Sequence, residues 1–276
     1  MRFAVISDVH NNLAALEAVL ADLRTVSPDS VAIAGDFLNR GPQPCEVLQR
    51  VRSLGWPMLR GNHEDYVLAQ CSDFAEGDPL SNPIWQPARW TAQQIGKQAD
   101  DIAALPIAIT VFGPHDSRVL VAHGRPDVNN DGVFGRTTDD ELRHMLGPQP
   151  PEIFICAHTH VPLVRHVDNT LVMNVGAVGL PFNGDPRAQY GMATWRNGQW
   201  HAELRAVEYS RQPTIDAFKT NGFFEGGGPL SRVILREVET ARPHLGPWVR
   251  HFAEDVRAGR LSVGAAVDRY FQDVVA

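Results

Sequence analysis

Five short polar clusters in this 276-residue chain carry side chains able to hold cations: Asp8-Val9-His10, Gly35-Asp36, Gly61-Asn62-His63-Glu64, Ala122-His123-Gly124 and Ala157-His158-Thr159-His160. Five of the 11 histidines fall within them. Carboxylates, an amide oxygen and neutral imidazoles make a mixed nitrogen and oxygen donor set, suited to Mn, Fe, Zn or Co. No cysteine occupies a plausible ligand position, so a thiolate site is excluded. The Asp8-x-His10 spacing, repeated at His158 and His160, would aim both side chains the same way on an extended segment. Taken singly, such residues have structural explanations: Gly-Asp makes turns, Asp and Asn cap helices, and a histidine at a strand end is usually just hydrogen-bonded. Five clusters together favour a shared site, with Asp8, His10, Asp36, Asn62, His123, His158 and His160 as candidate metal ligands.

Strands that end at the clusters must position them. The run from Arg2 to Ser7 is apolar, stops at Asp8 and predicts a buried strand. Asn11 or Asn12 can cap a helix whose Leu13, Leu16, Val19, Leu20 and Leu23 recur at helical spacing. A second strand over 30–34 ends at Gly35-Asp36. A helix over 44–53 then leads to a short strand, 57–59, ending at Arg60-Gly61-Asn62-His63. Strand, polar residues and helix in repetition imply α/β architecture with a parallel sheet in the first half. Such sheets gather ligands at the carboxyl ends of their strands, where Asp8, Asp36 and Asn62 fall.

The segment 84–105 has a helical pattern, and a β-rich half follows. Strands are predicted over 107–112, 119–122, 153–157, 163–167, 171–175, 192–196 and 200–204. Gly113-Pro114 marks a turn, and Asp168-Asn169 and Asn197-Gly198 are hairpin turns. Two sheets packed face to face, with helices outside, would use these elements economically. Beyond 207 the texture changes to short helices over 214–219, 230–241, 247–258 and 263–275, interrupted by Gly226-Gly227-Gly228 and Pro243. We therefore expect a catalytic domain over 1–207 and a helical extension over 208–276, packed on the core. That tail has no acidic or histidine cluster and would cover the core, shape substrate access or mediate dimerisation.

Composition bounds the partners. Hydrophobic residues make up 43% and charged residues 21%, with a formal net charge of −7. These are globular values, and the acidic balance with no Lys/Arg run gives no electrostatic footprint for an extended nucleic-acid groove. Three widely spaced cysteines, Cys45, Cys71 and Cys156, fit neither a disulfide framework nor a zinc motif, and read as reduced, structural thiols. Cys156 follows an apolar run and is expected as a buried strand thiol. No apolar stretch approaches the roughly 20 residues of a membrane span, and no leader pattern opens the chain. The expectation is a cytoplasmic protein.

The series D-x-H, G-D-x-x-x-R-G, R-G-N-H-E, A-H-G and A-H-T-H resembles the calcineurin-like metallophosphoesterase superfamily over roughly residues 1–205. The resemblance implies a four-layer αββα sandwich of two mixed sheets, and a site for two divalent ions, Mn²⁺ first, with Fe, Zn, Co or Ni as alternatives. Asp8, His10 and His160 would bind one ion, Asn62, His123 and His158 the other, and Asp36 would bridge them. It implies hydrolysis of phosphomonoesters or phosphodiesters by in-line attack of a bridging hydroxide, with Asn62 and His63 also facing the substrate. His63 would donate to the leaving oxygen or to the phosphate.

Two stretches resemble different branches. Phe37-Leu38-Asn39-Arg40-Gly41 and Arg60-Gly61-Asn62-His63-Glu64 are similar to phosphatases acting on phosphoserine and phosphothreonine, where Arg40 would hold a phosphate oxygen. A plain surface turn is the other reading of Arg40. Asn39 stands where that branch has Asp, which leaves His63 without the expected carboxylate partner. Met173 to Pro181 resembles the compact bacterial phosphodiesterases, with Val175 and Ala177 in place of Pro and Ser. Its small residues would permit close backbone approach, or simply form a strand turn. Substrates therefore span phosphorylated small molecules, nucleotides including diadenosine polyphosphates, and phosphoproteins. The alternatives from other classes are a non-catalytic interaction scaffold, which the intact ligand set disfavours, and a metal-dependent DNA nuclease, which the acidic composition disfavours.

Overall fold

The chain, in a computed structural model, is described over residues 1–72 and 78–273. In chain order its first elements are β1 (Arg2–Ile6), α1 (Leu13–Val26), β2 (Ser30–Ile33), α2 (Pro44–Ser53), α3 (Asn62–Ala69), α4 (Gln86–Ile95) and α5 (Ala99–Ala103). The β-rich half contains β3 (Ala108–Phe112), β4 (Arg118–Ala122), α6 (Asp139–Leu146), β5 (Ile153–Cys156), β6 (Leu163–Val167), β7 (Thr170–Asn174), β8 (Ala188–Arg196) and β9 (Gln199–Val207). Helices α7 (Gln212–Thr220), α8 (Phe223–Gly226), α9 (Leu230–Thr240), α10 (Leu245–Arg257) and α11 (Val263–Asp273) follow.

Alternation along the strands builds the layers. Ala4 and Ile6 of β1 join a core with Leu16, Val19 and Leu20 of α1 and Val47 and Val51 of α2, whereas Phe3 and Val5 face Val121, Ile155 and Met173 of the other sheet. In β5, Ile153 and Ile155 enter that inter-sheet core, while Phe154 and Cys156 pack outward with Leu142 of α6. The period of two thus gives each buried strand two apolar faces. The result is an α/β sandwich of two mixed sheets flanked by helices, ordered β2-β1-β8-β9 and β3-β4-β5-β7-β6.

Several expectations need correction. The first-half strands do pair parallel, β1 with β2 and Ile33 with Met58, but β8 arrives from far downstream and pairs antiparallel with β1, so the sheet is mixed. The strand over 57–59 reduces to a single bridge, Ile33↔Met58. Asn62 therefore stands in the first turn of α3, not at a strand end. Helices α3, α6 and α8 lie outside the expected helices, although Thr138 and Glu141 form a capping box that opens α6. The hairpin turns at Asp168-Asn169 and Asn197-Gly198 are as expected. Asn12, not Asn11, caps α1, accepting from the Ala15 N–H.

The C-terminal helices make two small cores. Phe218, Phe223 and Ile234 pack on Trp90 of α4 and on Leu180, and Leu230, Trp248, Val263 and Tyr270 join α9, α10 and α11. The helix expected over 263–275 is α11, with 274 and 275 outside the described residues. All three cysteines are free, but only Cys156 is buried. Cys45 and Cys71 are exposed, so they are not the structural thiols expected. Among the described residues no helix is long and apolar enough to cross a membrane.

Candidate metal centre

The loops after β1, β2 and β5, with the start of α3, are laced together by backbone bonds. His10 N–H donates to Asp36 O at 3.1 Å, and Asp8 N–H to Gly35 O at 3.1 Å. Glu64 ties two more loops to this edge. Its Oε2 accepts from the Asp36 and Gly61 N–H groups at 2.7 and 2.8 Å, and its Oε1 from Leu38 N–H at 2.9 Å. Gly61 is required by closeness, since a Cβ there would stand 2.1 Å from Asp36 Oδ1. The stretch after β7 does similar work: Asn174 Nδ2 donates to Ala157 O at 2.7 Å, and Gly179 N–H to Asp8 O at 2.9 Å. At Gly179 a Cβ would lie 1.9 Å from Val9 O, so close backbone approach is the reason for the small residue.

The extended-segment explanation of the Asp-x-His and His-x-His spacings is wrong. Asp8, His10, Asp36, His158 and His160 all have positive φ, between 48° and 67°. Left-handed backbone is uncommon outside glycine and carries strain, which gathers at functional sites. These residues turn inward because the chain coils after each strand, not because a pleat aims them.

All seven candidate ligands converge. Asp8, His10, Asp36 and His160 form one group of donors, and Asp36, His123 and His158 another, each with its ligand atoms within 4.8 Å of one another. Asp8 Oδ1 lies 3.0 Å from His160 Nε2, and Asp36 Oδ2 lies 3.2 Å from His123 Nε2. Asn62 Oδ1 completes the second group, 2.8 Å from His158 Nδ1 and 3.1 Å from His123 Nε2.

The donor chemistry fits cations. His123 Nδ1 lies 2.8 Å from Ala34 O, and His160 Nδ1 hydrogen-bonds Leu180 O, so each donates outward and turns Nε2 to the centre. His10 Nε2 and His160 Nε2 face each other at 3.2 Å, and at most one can carry a proton there. Asp8 Oδ1 and His10 Nδ1 are buried without a hydrogen-bond partner, an arrangement costly without a compensating group. Burial opposes charge on His123, yet the Asp36 carboxylate overrides it and raises the imidazole to about 10. Asp36 itself, despite burial, is held well below the usual carboxylate range by His123 and His63. Burial and the neighbouring His123 lower His158 to about 4, and burial and His160 lower His10. A proton on His123 and a divalent ion are thus alternative ways to balance the buried carboxylates.

His63 and Arg40 also reach the centre's edge. The His63 ring lies edge-on to His10, centroids 4.9 Å apart, and its N–H backbone group donates to Asp36 Oδ1 at 2.8 Å. Burial, then the Arg40 charge, holds its imidazole well below the ordinary range. Neither acidic neighbour in sequence touches that ring: Glu64 binds backbone, and Asp65 pairs with Arg60 at 2.6 Å. Its partner is Asn39, whose Nδ2 lies 2.9 Å from Nδ1. Arg40 is not a surface turn residue. It is partly buried, and its guanidinium lies 3.9 Å from the fully buried Glu237 of α9. Glu237 was missed because a lone acid in a tail helix carries no motif.

This fold and this donor cluster define a metal-type phosphoester hydrolase architecture. The sequence profile of the calcineurin-like phosphoesterase superfamily domain matches residues 1–198, and the chain belongs to that superfamily as a hydrolytic phosphoesterase. The crystal structure of a metallophosphoesterase from Sphaerobacter thermophilus is similar, with TM-score 0.68 and 27% identity over 87% of this chain and 99% of that one. A phosphodiesterase of Escherichia coli is 24% identical, covering 70% of this chain and 86% of its own length. A symmetrical bis(5′-nucleosyl)-tetraphosphatase of Hamiltonella defensa is 34% identical over 57% of each chain.

Proposed function

We propose that the chain is a dinuclear-metal phosphoesterase acting on phosphomonoesters, phosphodiesters or both. The observation that carries this is Asp36, whose Oδ2 is shared between the two donor groups, 3.2 Å from His123 Nε2 and 3.8 Å from His10 Nε2. Asp8, His10 and His160 would hold one divalent ion, Asn62, His123 and His158 the other, and Asp36 would bridge, with Mn²⁺ the first choice. Two such ions, when bound, supply a water of lowered pKa and neutralise charge on phosphoryl oxygens.

The chain's own residues would do the rest. Arg40, steadied by Glu237, would hold a phosphate oxygen through its planar fork. His63, neutral, would present its Nε2–H to a phosphoryl or departing oxygen. The relatives named for phosphodiesters and dinucleoside tetraphosphates favour nucleotide-type substrates over phosphoproteins. We take residues 1–207 as the catalytic unit and 208–276 as an extension packed on it, and the free thiols support a cytoplasmic location. Hydrolysis of p-nitrophenyl phosphate and its bis ester with Mn²⁺, against Asp36→Asn, tests the proposal. Turnover that vanishes in the variant is expected, and absence of Asp36-dependent turnover on both esters overturns it.

A further inference from the structure

Next to the donor cluster lies a cavity of about 370 Å³, within the roughly 300–1,000 Å³ of small-molecule sites. Asn39, Arg40 and His63 form its inner end. A run of rings leads outward from the cluster: His10 to His63 at 4.9 Å, His63 to Tyr66 at 5.1 Å, and Tyr66 to Trp85 at 5.3 Å between centroids. Tyr66 and Trp85 line the cavity and remain half-buried, so ring surface is left uncovered. The opposite wall comes from the C-terminal helices, including Leu245, Trp248 and Val249 of α10.

Among the described residues, the charged side chains that line the cavity have one sign. Among the described residues no carboxylate lines it, whereas Arg40 does, and Arg257, which lines it too, is exposed and makes no ion pair. Aromatic walls and positive charge beside a phosphoryl-holding centre match an anionic ester that carries a flat heteroaromatic ring. An extended phosphopeptide would instead need a continuing groove with backbone partners.

We propose that this cavity binds the nucleobase of a nucleotide substrate, stacked on Trp85 and Tyr66, while its phosphate sits at the donor cluster. The proposal rests on the phosphoesterase reading and gives the C-terminal helices a part in substrate selection. Adenosine 5′-monophosphate and ribose 5-phosphate (or their methyl diesters) share the same ester linkage and differ by the base. The wild-type enzyme with Mn²⁺ should prefer the nucleotide by about tenfold or more in kcat/KM, the scale of one aromatic stack.

Trp85→Ala should remove most of that preference. Val249→Trp should do the same by filling the cavity mouth, at a side chain 41% exposed where folding is not at stake. Titration calorimetry of both compounds onto the Mn²⁺-loaded protein reads the same preference without turnover. Equal kcat/KM and equal binding for the pair, with Asp36-dependent hydrolysis of the nitrophenyl esters intact, overturns the base site alone. Loss of that hydrolysis overturns the phosphoesterase reading instead, with the calorimetric preference still deciding the base site. A phosphoserine peptide hydrolysed faster than the nucleotide, and weakened by Trp85→Ala, overturns it in favour of a peptide.

Discussion

Asn39 Nδ2 lies 2.9 Å from His63 Nδ1, and the Asn39 Oδ1 accepts from the Arg40 N–H at 2.8 Å. The second bond fixes which way the amide points, so the side chain offers His63 a donor. Nδ1 must then accept, and the imidazole carries its proton on Nε2 as a neutral ring. Burial lowers the same ring's basicity. An aspartate in this place would favour the cation.

Asn39→Asp should therefore raise the pKa of His63. If His63 donates to the departing oxygen, the kcat/KM for an alkyl ester relative to p-nitrophenyl phosphate should rise about tenfold, within the range of general acid catalysis. A pH–rate series on both esters checks this. An unchanged ratio and profile would mean that His63 acts on the phosphate only.

Metal loading should release about one proton at pH 8. His123, raised to about 10 in the metal-free centre, is the group that gives it up. His10 and His158 are held low and are already neutral. Proton and cation compete, so apparent Mn²⁺ affinity should climb about tenfold per pH unit from 7 towards 10. Calorimetry in two buffers of different ionisation enthalpy measures the proton count. A count of zero contradicts the charge balance drawn from Asp36 and His123.

Glu64→Gln should destabilise the protein by about 1–3 kcal/mol, because an amide NH₂ would face a backbone N–H that now has a carboxylate oxygen. Burial and the Asp36 charge push this carboxyl up to about 8, yet three N–H donors hold its geometry. The midpoint of urea unfolding reads the loss. An unchanged midpoint would assign Glu64 no part in joining the loops.

Glu237→Gln keeps an acceptor for the His244 and Leu245 N–H groups, which Glu237 Oε1 caps at 2.8 and 2.7 Å. It removes the charge facing Arg40, so kcat/KM should fall about tenfold, the size of one charge-assisted contact. In a double-mutant cycle with Arg40→Lys the two losses should overlap. Additive losses would mean that Glu237 serves α10 alone.

The sequence by itself determined the parts. Residue types such as Asp8, His10, Asp36 and His160 fixed the donor chemistry, and apolar runs such as 2–7 and 153–157 fixed strands with two buried faces. These are local properties, legible in composition and period. Only the tertiary structure decided how the parts meet. The left-handed turns at Asp8, His10 and His160 are held by partner loops, so no spacing rule could foresee them. Asn39 facing His63, Glu64 tying backbone rather than a ring, and Glu237 reaching Arg40 are contacts between residues 24, 28 and 197 positions apart or held across loops. Such contacts depend on where the chain folds back, and that is set by packing of whole layers, not by any local pattern.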